Sequence, residues 1–304
     1  MRFLSIPATI LIFCSLSLAG KDMQIADLVK KHLDSIGNEQ ARKSVKTRVV
    51  EGDTKFQLLN GAGAQEGKSV FVSEDEKMVS LLKLPNPSYH GERFVSDGKK
   101  TQIAQLKPGV WSNIGQFVMV HNEILKEGLW GGTLSTGWAL AHLDGRHAKM
   151  KYEGLKKVNG RELQKVLYLP SMHSDLQIEL YFEPDTFRHV MTVYSLTISP
   201  QLGGGEIHTA EQQETRYRLE ERFSDFKAVD NLDLPHHWTV QYTAEESTTG
   251  STGGGTFDAP GGAAATTIST QGIGTGHSPM IQFDSSVSAI SHNVTVDPKN
   301  YEIK

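Results

Sequence analysis

The chain has 304 residues, of which 31 are lysine or arginine and 35 are aspartate or glutamate, giving a formal net charge of −4. This mild acidity is spread along the chain, which excludes the basic patch that nucleic-acid binding requires. The single cysteine, Cys14, lies in an N-terminal apolar segment. The rest of the chain therefore has no disulfide, thiolate nucleophile or cysteine-based metal site.

The N-terminus has the features of a secretory signal. Arg2 precedes the almost entirely apolar run Phe3–Leu18, and Ser17 and Ala19 place small residues at the positions that signal peptidase reads. The run is shorter than the ~20 residues that a membrane-spanning helix needs. We therefore expect residues 1–19 to be a cleaved signal peptide, with an uncleaved membrane anchor as the alternative.

A helical pattern follows this segment. Between Asp22 and Ile36, apolar residues recur at helical spacing and charged residues occupy the opposite face, which predicts an amphipathic helix. Gly37 ends this helix. A second, short helix is predicted from Asn38 to Val45.

From Thr47 onward the apolar period changes to two, which is typical of β-strands. The dipeptide Asp97-Gly98 predicts a tight hairpin turn between two of these strands. The strands predicted in this part of the chain are Thr47–Leu59, Lys68–Ser73, Lys77–Leu84, Arg93–Ser96 and Thr101–Leu106.

An apolar helical insertion interrupts the strands at about residues 111–143. Phe117, Val120, Ile124 and neighbouring apolar residues recur at helical spacing between Trp111 and Glu127, and Ser112 is the predicted N-cap. A glycine-rich stretch ends this helix. A second short helix that carries Trp138 is predicted from about Ser135 to Leu143. Laid against a curved sheet, these helices would cover its concave apolar face as a lid.

Strands resume after Arg146. Leu176, Ile178, Leu180 and Phe182 alternate with polar residues, which predicts a sheet with one buried and one solvated face. The same alternation assigns Tyr217, Leu219 and Phe223 to one face of the next strand. In the strand after that, it assigns Trp238, Val240 and Tyr242 to one face.

The C-terminal part of the chain differs in composition. Residues 245–279 are rich in glycine, serine, threonine and alanine, so we expect a disordered insertion there. Residues 280–304 regain an apolar pattern and are predicted to form a last strand. The main domain accordingly covers residues 20–244.

Motifs of catalysis and of metal or nucleotide binding are missing from the sequence. It has no G-x-S-x-G, H-E-x-x-H, Walker or G-x-G-x-x-G signature. The adjacent histidines His236 and His237 would point to opposite faces of a strand, which disfavours chelation of one ion. We expect no enzyme activity, no metal and no cofactor.

Three segments carry a resemblance to a known family. Residues 94–99 match a "V-S-D-G-K" hairpin, residues 176–194 match paired strands across an acidic turn, and residues 217–235 match a strand leading to an "L-P" turn. In this order, with the signal and the helical lid, they resemble the periplasmic carriers that sort lipoproteins to the outer membrane. The resemblance covers roughly residues 24–245.

The resemblance implies a mainly β (α+β) fold. In it, a strongly curved antiparallel sheet forms an unclosed β-barrel, with an N-terminal amphipathic helix and an apolar helical lid. It also implies that acyl chains bind in the hollow without a cofactor. One position departs from the family pattern, since Lys83-Leu84-Pro85 stands where the carriers have an arginine before the proline. That arginine is linked to lid closure, so handover of lipoproteins by the usual route is in doubt.

The sequence therefore predicts a periplasmic binder or carrier of an acylated ligand, either a lipid or a lipoprotein, with an envelope membrane protein as a further partner. The alternative is an envelope scaffold or lipid-responsive sensor that binds a protein, and a hydrolase is a third hypothesis. The residues predicted to line the apolar cavity are Phe117, Val120, Ile124, Trp130, Leu176, Ile178, Leu180, Phe182, Tyr217, Leu219 and Trp238.

Overall fold

The computed structural model describes residues 24–58, 63–172, 174–198, 213–248 and 281–303. The predicted signal peptide lies outside these ranges, as does most of the predicted insertion. Twelve strands are present in these described ranges: β1 Thr47–Leu58, β2 Gln65–Glu74, β3 Lys77–Lys83, β4 Gly91–Ser96, β5 Thr101–Gln105, β6 Lys149–Val158, β7 Arg161–Leu169, β8 Gln177–Phe182, β9 His189–Ile198, β10 Gln213–Val229, β11 Leu232–Thr248 and β12 Ile281–His292.

All twelve strands belong to one antiparallel sheet. Their order is β5-β4-β3-β2-β1-β12-β11-β10-β9-β8-β7-β6, so β5 and β6 form its two edges and do not pair with each other. The sheet is therefore an unclosed barrel, as the sequence predicts. None of the helices among the described residues is long and apolar enough to cross a membrane.

The strand from the C-terminal segment lies in the middle of this sheet. β12 pairs with β1 on one side and with β11 on the other, so it joins two meanders, β1–β5 and β6–β11. β11 continues to Thr248, which assigns the first four residues of the predicted 245–279 insertion to a strand. β11 extends this far because Ser247 and Thr248 pair with Glu214 and Gln213, the first residues of β10.

Two helices precede the sheet and three lie in the lid. The N-terminal pair is α1 Ile25–Ile36 and α2 Glu39–Ser44, close to the predicted bounds. The lid, residues 111–146, contains α3 Asn113–Val120, α4 Glu123–Lys126 and α5 Leu143–Arg146. Ser112 is the N-cap of α3, as predicted, and its Oγ accepts a hydrogen bond from Gly115 N at 2.9 Å.

The lid is less helical than the sequence predicts. The helix expected over 111–127 is interrupted at His121, and the helix expected over 135–143 is replaced by the 3₁₀ turns 132–134 and 139–141. Backbone angles explain this difference, because ψ is 60° at His121, 138° at Ser135 and 128° at Trp138. A chain in that conformation cannot continue an α-helix.

The inner face of the sheet packs against the lid. Ile178, Leu180 and Phe182 of β8 alternate with residues on the other face and are fully buried in the main apolar core. They meet side chains of the lid such as Trp130 and Trp138 in the same cluster. The predicted alternation is confirmed for this face.

The outer face of the sheet is less solvated than the sequence predicts. Tyr181 and Val193 of neighbouring strands β8 and β9 are buried there in a second apolar cluster. A third cluster contains Val72, Val79 and Val95 of β2, β3 and β4, with Tyr301 of the C-terminal segment packed over them. The expectation that this outer face is solvated was wrong. Alternation of apolar and polar residues separates the two faces of a sheet, but it does not show which other residues pack on each face.

Candidate functional site

Most of the residues predicted to line a cavity lie in the packed core. Eight of them are at most 4% exposed, and the ring of Trp130 stacks on Phe94 with 4.8 Å between centroids and meets Trp238 edge-on at 5.5 Å. In this closed state the lid itself occupies the predicted hollow. The eight are Ile124, Trp130, Leu176, Ile178, Leu180, Phe182, Leu219 and Trp238.

The other three predicted residues meet at the edge of the lid. Phe117, Val120 and Tyr217 line a pocket of about 250 Å³ between α3 and strands β9–β11, called the mouth pocket here. Val120 was expected to face inward but is 73% exposed, because it lies on the outer side of α3. The full lining is Asn113, Gln116, Phe117, Val120, His121, Leu196, Ile198, Tyr217 and Tyr242.

An exposed apolar rim surrounds the mouth pocket. Val120 at the end of α3 and Ile198 at the end of β9 both line the pocket, and both are large hydrophobic side chains exposed to solvent. Single exposed apolar residues are ordinary, but a group beside an apolar pocket is typical of a binding surface. The mouth pocket is therefore a place where an apolar group can reach the boundary between lid and sheet.

Buried carboxylates connect the lid to the sheet. At the start of the lid, the Glu92 carboxylate on β4 accepts hydrogen bonds from Ser112 N at 2.8 Å and from Ser112 Oγ at 2.7 Å. Burial raises the pKa of Glu92, while the two bonds from Ser112 lower it. This contact fixes the first turn of α3 against the sheet.

Glu221 on β10 makes the central contact. It is fully buried and accepts hydrogen bonds from Gly131 N at 2.8 Å, Tyr194 Oη at 2.8 Å and Trp238 Nε1 at 2.9 Å. Burial raises the pKa of Glu221 to about 7, against the opposing effect of these three donors. One carboxylate therefore joins the glycine turn of the lid to two strands.

A third carboxylate reaches from the lid to the sheet. Glu127, just after α4, accepts a hydrogen bond of 2.6 Å from Tyr168 Oη on β7. Burial first, and then the bond to Glu127, raise the pKa of Tyr168. The phenol therefore keeps its proton and remains the donor.

The far end of the lid has two polar contacts of a different kind. Trp138 Nε1 donates to Nε2 of His32 in α1 at 2.9 Å, and Arg48 Nη1 on β1 donates to Thr133 O at 2.6 Å. Arg48 is 4% exposed, its Nε donates to His292 Nε2 at 3.0 Å, and burial lowers its pKa to about 10. Defined hydrogen bonds thus hold the lid at both ends.

Sequence reasoning missed these polar residues, although the patterns contained a signal for two of them. Glu221 lies between Leu219 and Phe223 in the alternation, so its carboxylate had to face the apolar side. His32 follows Leu28 and precedes Ile36 by four residues each, which places it on the apolar face of α1. Buried ionisable residues need partners, and here the partners come from distant parts of the chain.

Metal-binding geometry is missing from the described ranges, where no three His, Cys, Asp or Glu side chains lie close enough to hold an ion. The adjacent histidines have separate partners. His236 Nδ1 contacts Leu234 O at 3.0 Å, whereas His237 Nε2 contacts Asp284 Oδ1 at 2.6 Å.

Comparisons with known proteins find similarity at the level of structure. No protein-family model matches the sequence, and no curated protein matches it significantly. Among solved structures, a LolA superfamily protein from Nitrosomonas europaea has a TM-score of 0.44 at 9% identity, over 92% of this chain and 98% of that one.

Two further solved structures have similar values. A DUF1329 family protein from Desulfovibrio piger has a TM-score of 0.41 at 9% identity, over 91% of this chain and 97% of that one. A domain assigned to outer membrane lipoprotein sorting from Vibrio parahaemolyticus has a TM-score of 0.39 at 9% identity, over 90% and 97%. The matches thus include the family that the sequence resembles. They leave the ligand of this chain open, since a fold hosts many functions.

Proposed function

We propose that this protein binds the acyl chain of a lipid or lipoprotein in the periplasm and carries it without catalysing a reaction. The observation that supports this proposal is the mouth pocket, where apolar walls and an apolar rim meet at the edge of a lid. Each methylene group that leaves water contributes about 0.8 kcal/mol. An apolar pocket of this kind therefore binds an acyl chain without a specific polar partner.

The size of the mouth pocket sets a requirement on the mechanism. About 250 Å³ is less than the 300–1,000 Å³ typical of a small-molecule site. A full acyl chain therefore needs α3 to move away from β9–β11 and expose more of the inner face. Such a movement would break the contact between Glu92 and Ser112, which holds the start of α3.

The experiment is native mass spectrometry of the protein purified gently from the cell envelope, followed by organic extraction. A bound species with the mass of a lipid, displaced by detergent, supports the carrier function and shows the class of cargo. Ile178→Glu is unsuitable as a test variant, because Ile178 is fully buried in the core. A charge placed there would unfold the protein rather than report on binding.

A matched pair of surface variants makes the test specific. Ile198 on the rim is 50% exposed and Leu155 on edge strand β6 is 53% exposed, so glutamate is tolerated at both positions. Ile198→Glu should lower the bound lipid about tenfold, because the acyl chain would desolvate the new charge. Leu155→Glu should leave it unchanged. Equal lipid content in both variants would contradict the mouth pocket as the site.

The filled core favours a second candidate function, an envelope scaffold or sensor that binds a protein partner. Eight predicted cavity residues are at most 4% exposed, as expected of a protein with no ligand inside. This function predicts a clean apo mass and a partner recovered by crosslinking in the envelope. In that case Ile198→Glu would weaken the crosslink, while lipid content would be zero in every variant.

A further inference from the structure

A larger apolar hollow lies on the other face of the sheet. It has a volume of about 750 Å³ and is located where β3 turns into β4, on the outer side of β2–β5. We call it the outer groove. Its lining residues are Lys68, Val70, Leu81, Lys83, Leu84, Pro85, Asn86, Pro87, His90, Leu106 and Lys107.

A glycine at the start of β4 allows close packing of the strands beside the outer groove. The strand register places Lys68, Lys83 and Gly91 in one row, and Leu106 N bonds to Gly91 O to extend this row to the end of β5. Gly91 has no side chain, so the backbone of β3 packs directly against it. A Cβ at Gly91 would lie 1.6 Å from Leu82 O at a φ of +102°, so no other residue fits.

The wall of the outer groove is already fixed without a ligand. Asn86 Oδ1 accepts hydrogen bonds from Ser88 N at 2.7 Å and Tyr89 N at 3.0 Å, which forms an Asx turn. Asn86 Nδ2 also donates to Gln65 Oε1 on β2 at 2.6 Å. A wall held in this way loses little conformational entropy when a ligand binds.

The charge of the outer groove has one sign. Lys68, Lys83, Lys107 and His90 line it, and no carboxylate of the described residues does. Lys68 is paired with the neighbouring Asp53, whereas Lys83 and Lys107 are exposed at the rim. An apolar floor with cations at its edge complements a molecule that has an apolar tail and an anionic head.

The chain covers only part of this outer face by itself. Tyr301 packs over Val72, Val79 and Val95, but the next row, Val70 and Leu81, stays half-exposed in the groove. The outer apolar surface is therefore continuous, and the groove is the stretch that the C-terminal segment leaves open.

We propose that the outer groove binds a single-chain anionic amphiphile, a long-chain fatty acid being the simplest. Its acyl chain lies over Val70 and Leu81, and its carboxylate lies between Lys83 and Lys107. This site is separate from the mouth pocket, which lies between the lid and the inner face, and it does not depend on the proposed carrier function.

The test is a titration of the purified full chain with cis-parinaric acid, whose fluorescence rises in an apolar site. Replacing Lys83 and Lys107 by methionine keeps their apolar stems and removes their charges. This double variant should bind the fatty acid about fivefold more weakly at one site, because two exposed ion pairs with the carboxylate are lost. It should bind the matching fatty alcohol, which has no charge, as before. The control, Lys156→Met with Lys157→Met on β6, should bind both as the unchanged protein does.

A photoactivatable diazirine fatty acid gives an independent position for the ligand. Crosslinks in the peptide that contains Leu81 to His90 support the outer groove, and their absence there overturns it. Unchanged fatty-acid affinity in the Lys83→Met/Lys107→Met variant also overturns it. Binding to vesicles of anionic lipid without binding of the monomeric fatty acid would assign the surface to a membrane instead, which contradicts this proposal.

The rim variant separates this proposal from the carrier function. Ile198→Glu alters the mouth pocket only, so one fatty acid per chain should still bind in the groove of that variant. Loss of all fatty-acid binding in Ile198→Glu would overturn the outer groove and leave the carrier function standing. The outer groove is supported if fatty-acid binding is retained in Ile198→Glu and weakened in Lys83→Met/Lys107→Met. This result does not depend on whether the mouth pocket binds a ligand.

Discussion

Trp138 in the lid and His32 in α1 share a buried hydrogen bond of 2.9 Å, in which the indole Nε1 donates to Nε2 of the imidazole. Since Nε2 accepts, the ring is neutral with its proton on Nδ1, which donates to Phe187 O at 3.0 Å. One neutral imidazole therefore connects the lid, α1 and the turn before β9. Burial lowers the pKa of His32 to about 4.

This neutral state predicts an acid dependence of stability. The pKa of histidine is about 6.5 in the unfolded chain and about 4 for His32 in the folded one, so the unfolded state binds more protons between these values. The contribution of His32 is complete above pH 6.5 and is lost as the pH falls. The unfolding free energy of the unchanged protein should fall between pH 7.5 and 5.0, and His32 should account for about 2 kcal/mol of that fall. In urea denaturation, the fall for His32→Gln should therefore be smaller by this amount.

The control for this measurement is His147→Asn. His147 is exposed and has a φ of 54°, a conformation that asparagine tolerates. The same loss of stability in acid for His32→Gln, His147→Asn and the unchanged protein would show that His32 is not responsible.

Glu221 predicts a dependence of the opposite sign. Its pKa is about 7 when folded against 4.5 when unfolded, so the folded state binds more protons between these values. The contribution of Glu221 is complete below pH 4.5 and is lost as the pH rises through 7. The stability of Glu221→Gln relative to the unchanged protein should therefore increase by about 3 kcal/mol between pH 4.5 and 7.5.

Chemical denaturation across this pH range checks the prediction for Glu221, with the exposed Glu162→Gln on β7 as the control. A constant difference between Glu221→Gln and the unchanged protein at all pH values would mean that Glu221 has an ordinary pKa. The two predictions use separate variants because the effects of His32 and Glu221 partly cancel in the unchanged protein.

Arg48 predicts a local effect on the lid. Arg48→Met leaves Thr133 O without its donor, which costs about 1–3 kcal/mol for a buried group. Hydrogen–deuterium exchange should therefore become faster at lid amides 129–140 while the amides of β9 and β10 keep their protection. Arg161→Met is the control, because Arg161 is 63% exposed and pairs with Glu183 at the surface, and such pairs contribute about 0–1 kcal/mol. Equally faster exchange in lid and sheet would contradict a specific role of Arg48 in holding the lid.

The elements of this fold with a local signal could be predicted from the sequence. Periodicity gave α1 and most strands, and Ser112 marked the start of α3 because N-capping depends on neighbouring residues. The position of β12 between β1 and β11 had no local signal, since strand pairing is decided by contacts across the whole chain. The replacement of the second lid helix by 3₁₀ turns depended on the non-helical ψ angles of Ser135 and Trp138.

The candidate site could be predicted only in part. Apolar alternation identified Leu180 as inward-facing, and the apolar insertion identified Trp130, but a core residue and a ligand-binding residue have the same apolar character. Only packing shows that Leu180 meets the lid, and Trp130 the sheet, rather than a hollow. The outer groove had no sequence signal, because its floor depends on Val70 lying beside Leu81 in the sheet register.

The central position of β12 has a consequence for how the molecule matures. β1 and β11 each pair with β12, so the meanders on either side cannot join before Ile281 and the residues after it are available. Those residues follow both meanders in the chain and are therefore synthesised after them. Until then two half-sheets coexist, each with an open edge able to pair with another chain. An incomplete chain of this kind needs protection from aggregation until β12 is inserted between β1 and β11.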